Sequence, residues 1–92
     1  MLPKNRPPTA PGEILTEEFL KPMKMTQGQL AKKLGTYDTV VSGLVTGKRA
    51  ISPEMAVKLA MAFDTTPELW ANLQRDVDLW AARKKLASVA HR

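Results

Sequence analysis

The fold is decided by the stretch Thr26–Arg49, TQGQLAKKLGTYDTVVSGLVTGKR. Thr26 and Gln29 have the spacing of a capping box, in which the Thr hydroxyl accepts from the Gln29 amide and the Gln side chain accepts from the Thr26 amide. We therefore predict that a helix begins here. Gly35 supplies the left-handed residue that ends it, because glycine adopts a positive φ without steric cost.

A second short helix is predicted from about Asp38 to Val45. Its N-cap is Thr36 or, less typically, Tyr37, and Gly47 closes it. Two short helices joined by a tight turn form a helix-turn-helix, which places its second helix in the major groove of DNA. Apolar residues at helical spacing are expected to face inward, and these are Leu30, Ala31, Leu34, Val41 and Leu44.

Start signals predict three further helices. The first begins at Pro11 and stops before Pro22, with Ile14, Leu15 and Phe19 on its inner side. Ser52-Pro53-Glu54 and Thr66-Pro67-Glu68 each combine an N-cap, a proline at the first helical position and an acid at the positive end of the helix dipole. They open helix four, with Met55, Leu59 and Phe63 as its inner stripe, and a long helix five. No window shows sustained two-residue alternation, so we predict an all-α fold of five helices.

The ends of the chain differ in composition from its centre. Residues 1–10, MLPKNRPPTA, hold three prolines and little to bury, which predicts a flexible arm. We assign residues 11–82 to a single helix-turn-helix domain and residues 83–92 to a basic C-terminal tail. Ninety-two residues suffice for one modest core.

Several classes of function are disfavoured by composition. The chain has no cysteine, no apolar run of the roughly 20 residues that a membrane helix needs, and no apolar signal segment, so we expect a cytoplasmic protein. The single histidine, His91, lies one residue from the C-terminus, away from any partner for metal or acid–base chemistry. No Gly-rich phosphate loop is present. We expect no enzyme activity, no cofactor, no metal, no small-molecule substrate and no membrane partner.

The net charge of +5 is unevenly distributed. Residues 26–49 carry +3, from Lys32, Lys33, Lys48 and Arg49 against Asp38, and residues 70–92 also carry +3. Positive charge that gathers on the two-helix unit is typical of a protein that binds a polyanion. An ordinary solvated surface is equally compatible with a charge of this size.

The chain also resembles a known family. The two-helix unit resembles that of lambda-repressor-like (XRE-type) regulators, and three further blocks are similar to the HigA-type antitoxins: PGEIL at Pro11–Leu15, GKRAISPEMAVKLAMAF at Gly47–Phe63 and TTPELWANLQ at Thr65–Gln74. The resemblance covers about residues 11–80. It implies a homodimer that represses its own operon and neutralises a RelE-like RNase toxin by binding it. A solitary XRE-type transcriptional regulator without a toxin partner is the alternative.

Carried over position by position, the resemblance implies a DNA-binding surface. Gln27 corresponds to the residue at the start of helix two that touches phosphate, and Lys48 and Arg49 fall on the turn that contacts the DNA backbone. The positions at and near the base-reading end of helix three are Tyr37, Asp38, Thr39, Val40, Ser42 and Gly43.

Two of these positions allow two interpretations, and a third differs from the family. Asp38 either accepts from cytosine N4 or only complements the helix dipole, which is worth roughly 0.3–1 kcal/mol. We favour the second, because phosphates repel a carboxylate. Val40 either touches a thymine methyl or packs partly into the core. Gly43 replaces the long polar residue common in the family, and it reads no base itself.

Helix five carries Leu69, Leu73, Val77 and Trp80 at three- and four-residue steps. Trp70 is expected to pack under helix one or helix four as part of the core. Trp80 lies beyond the part of the helix that a small core covers, and aromatic anchors are concentrated in protein interfaces. We therefore assign Trp80, with Val77 and Leu73, to a dimer or partner contact.

Overall fold

The structure, a computed structural model, describes residues 7–90. The first six residues of the predicted arm and His91 lie outside the described residues. The described part is helical, and no strand occurs in it. Its elements are α1 (Pro11–Ile14), a π-helical segment (Leu15–Leu20) that continues α1 directly, α2 (Gln27–Leu34), α3 (Asp38–Thr46), α4 (Pro53–Phe63) and α5 (Pro67–Ala90).

The predicted caps of the helix-turn-helix are present. The Gln29 amide donates to Thr26 Oγ1 at 3.1 Å, and the Thr26 amide donates to Gln29 Oε1 at 2.9 Å, which completes the capping box. Gly35 has φ +68°. The Thr36 amide donates to the Ala31 carbonyl at 2.9 Å, which is the 6→1 hydrogen bond of a Schellman motif. Both ends of α2 are therefore set by local hydrogen bonds.

The N-cap of α3 is Tyr37, the less typical of the two predicted candidates, and not Thr36. Tyr37 makes no side-chain cap bond, and Gly47 closes α3 as predicted, with φ +82°. Ser52 Oγ accepts from the Met55 amide at 3.1 Å, so α4 begins at Pro53 as expected.

The first helix departs from a regular α-helix. It begins at Pro11 as predicted, but Leu15–Leu20 is π-helical, with the Lys21 amide donating to the Thr16 carbonyl at 2.9 Å. Lys24 then adopts a left-handed φ of +53°. The helical segment as a whole ends at Leu20, before Pro22 as predicted.

A single core unites the five helices. The side chains with at most 6% exposure include all five inward residues predicted for α2 and α3, namely Leu30, Ala31, Leu34, Val41 and Leu44. Trp70 is fully buried, as predicted, with its ring centroid 5.4 Å from that of Phe19 and 6.4 Å from that of Phe63. On α4 the stripe is wider than predicted: Leu59 is buried with Ala56 and Ala60, whereas Met55 and Phe63 are partly buried.

Gly12 allows α1 to touch the carboxyl end of α3. A Cβ built on Gly12 would lie 2.4 Å from the Leu44 carbonyl oxygen and 2.3 Å from the Val45 carbonyl oxygen, closer than real Cβ contacts permit. The absence of a side chain at this position is therefore required for α1 to support α3. The first helix thereby fixes the orientation of the second helix of the helix-turn-helix.

The far end of α5 extends past the core. The helix has 24 residues, and every side chain from Ala81 to Ser88 is exposed. The helix continues without a break through residue 82, the predicted end of the domain, to Ala90. No helix in the described part of the chain is long and apolar enough to cross a membrane.

Candidate nucleic-acid interface

Helix α3 is anchored on one side and open on the other. Val41 is fully buried and Leu44 is 2% exposed, and α3 packs against both α1 and α2. Thr39 and Ser42, predicted to read bases, are exposed on the opposite side. The buried pair fixes the helix so that these two hydroxyl groups are presented to solvent, where each can donate or accept.

The amino end of α3 carries two more of the predicted residues. Tyr37 has an extended backbone and a side chain that is 79% exposed. Asp38 is exposed, and its two carboxylate oxygens lie 3.6 Å and 3.8 Å from the place that a Cβ on Gly28 would occupy. The carboxylate therefore lies beside the first turn of α2 while it begins α3. This arrangement suits the interpretation in which Asp38 complements helix dipoles.

Val40 and Gln27 differ in accessibility. Val40 is half-buried and packs against the core, which agrees with the packing interpretation of this residue. Gln27 is the first residue of α2 and is exposed. Gln27 thus lies in the first turn of α2, where backbone amides without an intrahelical acceptor favour an anion.

The turn after α3 folds back onto the helix. The Arg49 amide donates to the Gly43 carbonyl at 3.0 Å, and Thr46 Oγ1 donates to the Ser42 carbonyl at 2.9 Å. A Cβ built on Gly43 would lie 3.0 Å from Arg49 Cβ and 3.7 Å from Arg49 Nε. The side chain of Arg49 thus covers the surface that Gly43 leaves bare, a tertiary contact that the sequence alone did not indicate. Lys48 is exposed on the same turn.

Four exposed cations lie on the helix-turn-helix and the turn that follows it. Lys32 and Lys33 are in the last turn of α2, and Lys48 and Arg49 are on the turn after α3. The ion pairs found among residues 7–90 are Lys21–Glu17 and Arg75–Asp76, and neither involves these four cations. Within the same residues, no cluster of three His, Asp or Glu side chains could hold a metal ion. The face is chemically equipped to contact polyanions through cations and hydroxyl groups.

The residues assigned to a dimer or partner contact lie along α5. Leu73 packs against the core, and Val77 and Trp80 are half-buried. Lys84 Nζ lies 4.7 Å from the centroid of the Trp80 ring, at a distance typical of a cation–π contact. Burial therefore decreases from Trp70 towards Trp80.

The structure also exposes apolar side chains that the sequence analysis did not single out. Leu79 is 42% exposed and Leu86 is 67% exposed, seven residues apart and hence on one face of α5. On α4, Met61 is 80% exposed and Val57 is 45% exposed. The seven-residue spacing of Leu79 and Leu86 was visible in the sequence, but we followed the other apolar series on α5, in which Leu69 is itself 37% exposed and Leu73 packs against the core.

Comparisons with known proteins agree with this architecture. The helix-turn-helix family profile matches residues 17–70. An HTH-type transcriptional regulator of Haemophilus influenzae is 51% identical over 75 residues, which span 82% of this chain and 70% of that protein. Antitoxin HigA-1 of Vibrio cholerae is 44% identical over 80 residues, spanning 87% of this chain and 75% of that protein.

A solved structure extends the similarity to three dimensions. It holds the Pseudomonas aeruginosa antitoxin HigA with the higBA promoter, and it superposes with a TM-score of 0.85 at 35% identity over 90% of each chain. Sequence and architecture therefore lead to the same assignment. The chain belongs to the XRE-type helix-turn-helix family, in the group that contains the HigA antitoxins.

Proposed function

We propose that this chain is a DNA-binding antitoxin that represses its own operon as a dimer and neutralises a RelE-like RNase toxin by binding it. The operator is double-stranded DNA. Thr39 and Ser42 face its base edges, with Tyr37, Asp38 and Val40 beside them at the amino end of α3. Gln27, Lys48 and Arg49 flank α3 and contact phosphates.

One observation carries the DNA-binding part of the proposal. Burial of Val41 and Leu44 holds α3 so that its hydroxyl face is open, with four exposed cations on the adjoining turn and helix. Backbone contacts of this kind position a protein on DNA, whereas side chains on the open face select the sequence. The relative that was solved with its promoter supports the same role.

The test compares two variants that lose the same charge. Lys48→Gln with Arg49→Gln removes both cations of the turn, whereas Arg83→Gln with Lys85→Gln removes two cations from the exposed end of α5 and leaves the Lys84–Trp80 contact in place. Affinity for the promoter DNA upstream of the chain's own reading frame is measured by fluorescence anisotropy over a range of salt concentrations. We expect the first variant to bind more weakly and to depend less on salt. The slope of log affinity against log salt concentration should become shallower by about one for each phosphate that the variant no longer neutralises.

The second variant is the control. Its affinity and salt dependence should match those of the unaltered chain, because its charges lie away from α3. Equal losses in both variants would indicate that net charge, rather than the turn, governs binding. An unchanged first variant would remove Lys48 and Arg49 from the interface.

The protein-binding part of the proposal rests on α5. Trp80 and Val77 are half-buried at the point where the helix leaves the core, with Leu73 adjoining them. The helix then continues with its side chains from Ala81 to Ser88 exposed. Isolated helices of this length are marginal in water, so contact with a second copy or with the toxin would stabilise this segment.

Substitution of Trp80 tests this role. Trp80→Ala should weaken self-association or toxin capture while helicity, measured by circular dichroism, is kept. Analytical ultracentrifugation reports the dimer, and co-purification with the product of the adjacent reading frame reports the toxin. Met61→Ala removes an exposed apolar side chain of α4 and serves as the control. If both assays are unaltered by Trp80→Ala, the contact lies elsewhere.

A solitary transcriptional regulator is the second candidate. It is favoured by the 51% identical relative, which is described as a transcriptional regulator rather than as an antitoxin. The two functions share the DNA-binding face and differ in the toxin. Co-expression with the adjacent small reading frame separates them: rescue of growth and capture of its product support the antitoxin, and the absence of both supports the solitary regulator.

A further inference from the structure

We infer that Arg49 reads a base pair of the operator and acts as a specificity-determining residue, beyond any contact with the DNA backbone. The inference rests on the proposed operator binding. It concerns a residue that follows α3 in sequence and is nevertheless laid across the surface of that helix.

The position of Arg49 is set by two contacts with Gly43. The Arg49 amide donates to the Gly43 carbonyl at 3.0 Å, which ties the turn to the last turn of α3. The side chain then passes over Gly43, with Nε 3.7 Å from the place of a Cβ on that residue. The guanidinium thus begins where a side chain of residue 43 would have extended from the helix.

This place belongs to the open face of α3. Gly43 follows Ser42 directly and lies four residues, or about one helical turn, after Thr39. A side chain at that place points in nearly the same direction as Thr39. If Thr39 and Ser42 face the major groove, the guanidinium of Arg49 faces it as well.

The chemistry of arginine suits this place. A guanidinium donates two parallel hydrogen bonds to O6 and N7 of guanine, the commonest specific contact in the major groove. Its planar fork distinguishes it from lysine, which offers a point charge. Arg49 is exposed, and no ion pair within the described residues engages it. The atoms nearest to the place of a Cβ on Gly43 all belong to Arg49 and none to Lys48, so Lys48 keeps its assignment as a phosphate contact.

The test selects preferred sequences with the full chain from a pool of random duplexes. Arg49→Lys keeps the charge but loses the fork, and Lys48→Gln removes the neighbouring charge. We expect Arg49→Lys to lose the preference for guanine at one position of the selected motif. Affinity for the motif should fall about 5- to 150-fold, the range of one bidentate base contact, while the salt dependence stays unchanged.

Lys48→Gln should behave in the opposite way. It should weaken binding to all sequences alike and reduce the salt slope by about one, with the motif unchanged. If Arg49→Lys selects the same motif as the unaltered chain, the inference is wrong and operator binding stands. If the unaltered chain selects no motif at all, the proposed function itself fails, and the inference fails with it.

Gly43→Ala provides an independent arm of the test. The new Cβ would lie 3.0 Å from Arg49 Cβ, so the arginine must shift by a few tenths of an ångström without any change of charge. We expect a weaker preference at the same base pair, with thermal stability retained because alanine favours the helix more than glycine does. In an Arg49→Ala background the Gly43→Ala change should have no further effect on the motif. Independent, additive effects would show that Gly43 does not act through Arg49.

Discussion

The two tryptophans of α5 occupy contrasting environments on one helix. Trp70 is fully buried beside Phe19 and Phe63, and its Nε1 donates to Thr65 Oγ1 at 2.8 Å. Trp80, ten residues later, is half-buried and touches Lys84. The same residue type in the same helix thus serves stability at one end and is free to make contacts at the other. Burial, rather than residue identity, separates the scaffold of this protein from its interaction surfaces.

The largest loss of stability is expected when the buried ring of Trp70 is removed. Trp70→Ala deletes a fully buried indole, and large-to-small changes of this kind lower the free energy of unfolding by about 3–5 kcal/mol. Urea-induced unfolding followed by circular dichroism measures the loss. A decrease below about 1 kcal/mol would mean that the aromatic cluster is not central to stability.

The second-largest loss of stability is expected at Gly12, where α1 lies against the backbone of α3. A Cβ there meets backbone carbonyls that cannot rotate away, so Gly12→Ala should cost about 3 kcal/mol of unfolding free energy, near the upper end for overpacking. Gly28→Ala is the matched control, because its Cβ would meet only Asp38 carboxylate oxygens at 3.6 Å and 3.8 Å and the Thr26 hydroxyl at 3.9 Å. The control should be neutral or slightly stabilising. Similar losses in the two variants would contradict the packing of α1 on α3.

Loss of the hydrogen bond made by the buried indole of Trp70 should lower the free energy of unfolding less than either of these two changes. Thr65→Val keeps the shape of the side chain but removes the acceptor for Trp70 Nε1, which should lower the free energy of unfolding by about 1–2 kcal/mol. Thr9→Val is an exposed control and should have no effect. An unchanged midpoint in urea for Thr65→Val would mean that the indole finds another acceptor.

The smallest effect on stability is expected at the second tryptophan. Trp80→Ala should lower the free energy of unfolding of the monomer by about 1 kcal/mol or less, since the ring is half-buried and few elements surround it. Measured with dilute protein, this loss should be well below that of Trp70→Ala. Equal losses would erase the distinction between the two ends of α5.

Local chemistry made the helices predictable. The capping box at Thr26, the glycine at Gly35 and the Ser52-Pro53 start each act within a few residues, so their bonds follow from the sequence alone. The π-helical segment after α1 was missed, because no local signal separates it from an α-helix of the same composition. The face of α3 followed from its buried residues, Val41 and Leu44.

Contacts between elements were not predictable. Gly12 and Gly43 resemble any helical glycine until α3 and the turn are placed beside them. Arg49 accordingly was assigned as a turn cation, although its side chain lies on α3. Leu79 and Leu86 were overlooked, since their exposure depends on where α5 leaves the core.

The most direct test is to map amide chemical shifts during titration with the promoter duplex. The central claim is that the open face of α3 and its adjoining turn meet DNA. We expect the largest changes at Gln27–Gly28 and over residues 37–49, with residues 81–90 unaffected. Chemical-shift changes that are confined to α5, with no change in the amides of α3, would contradict this claim.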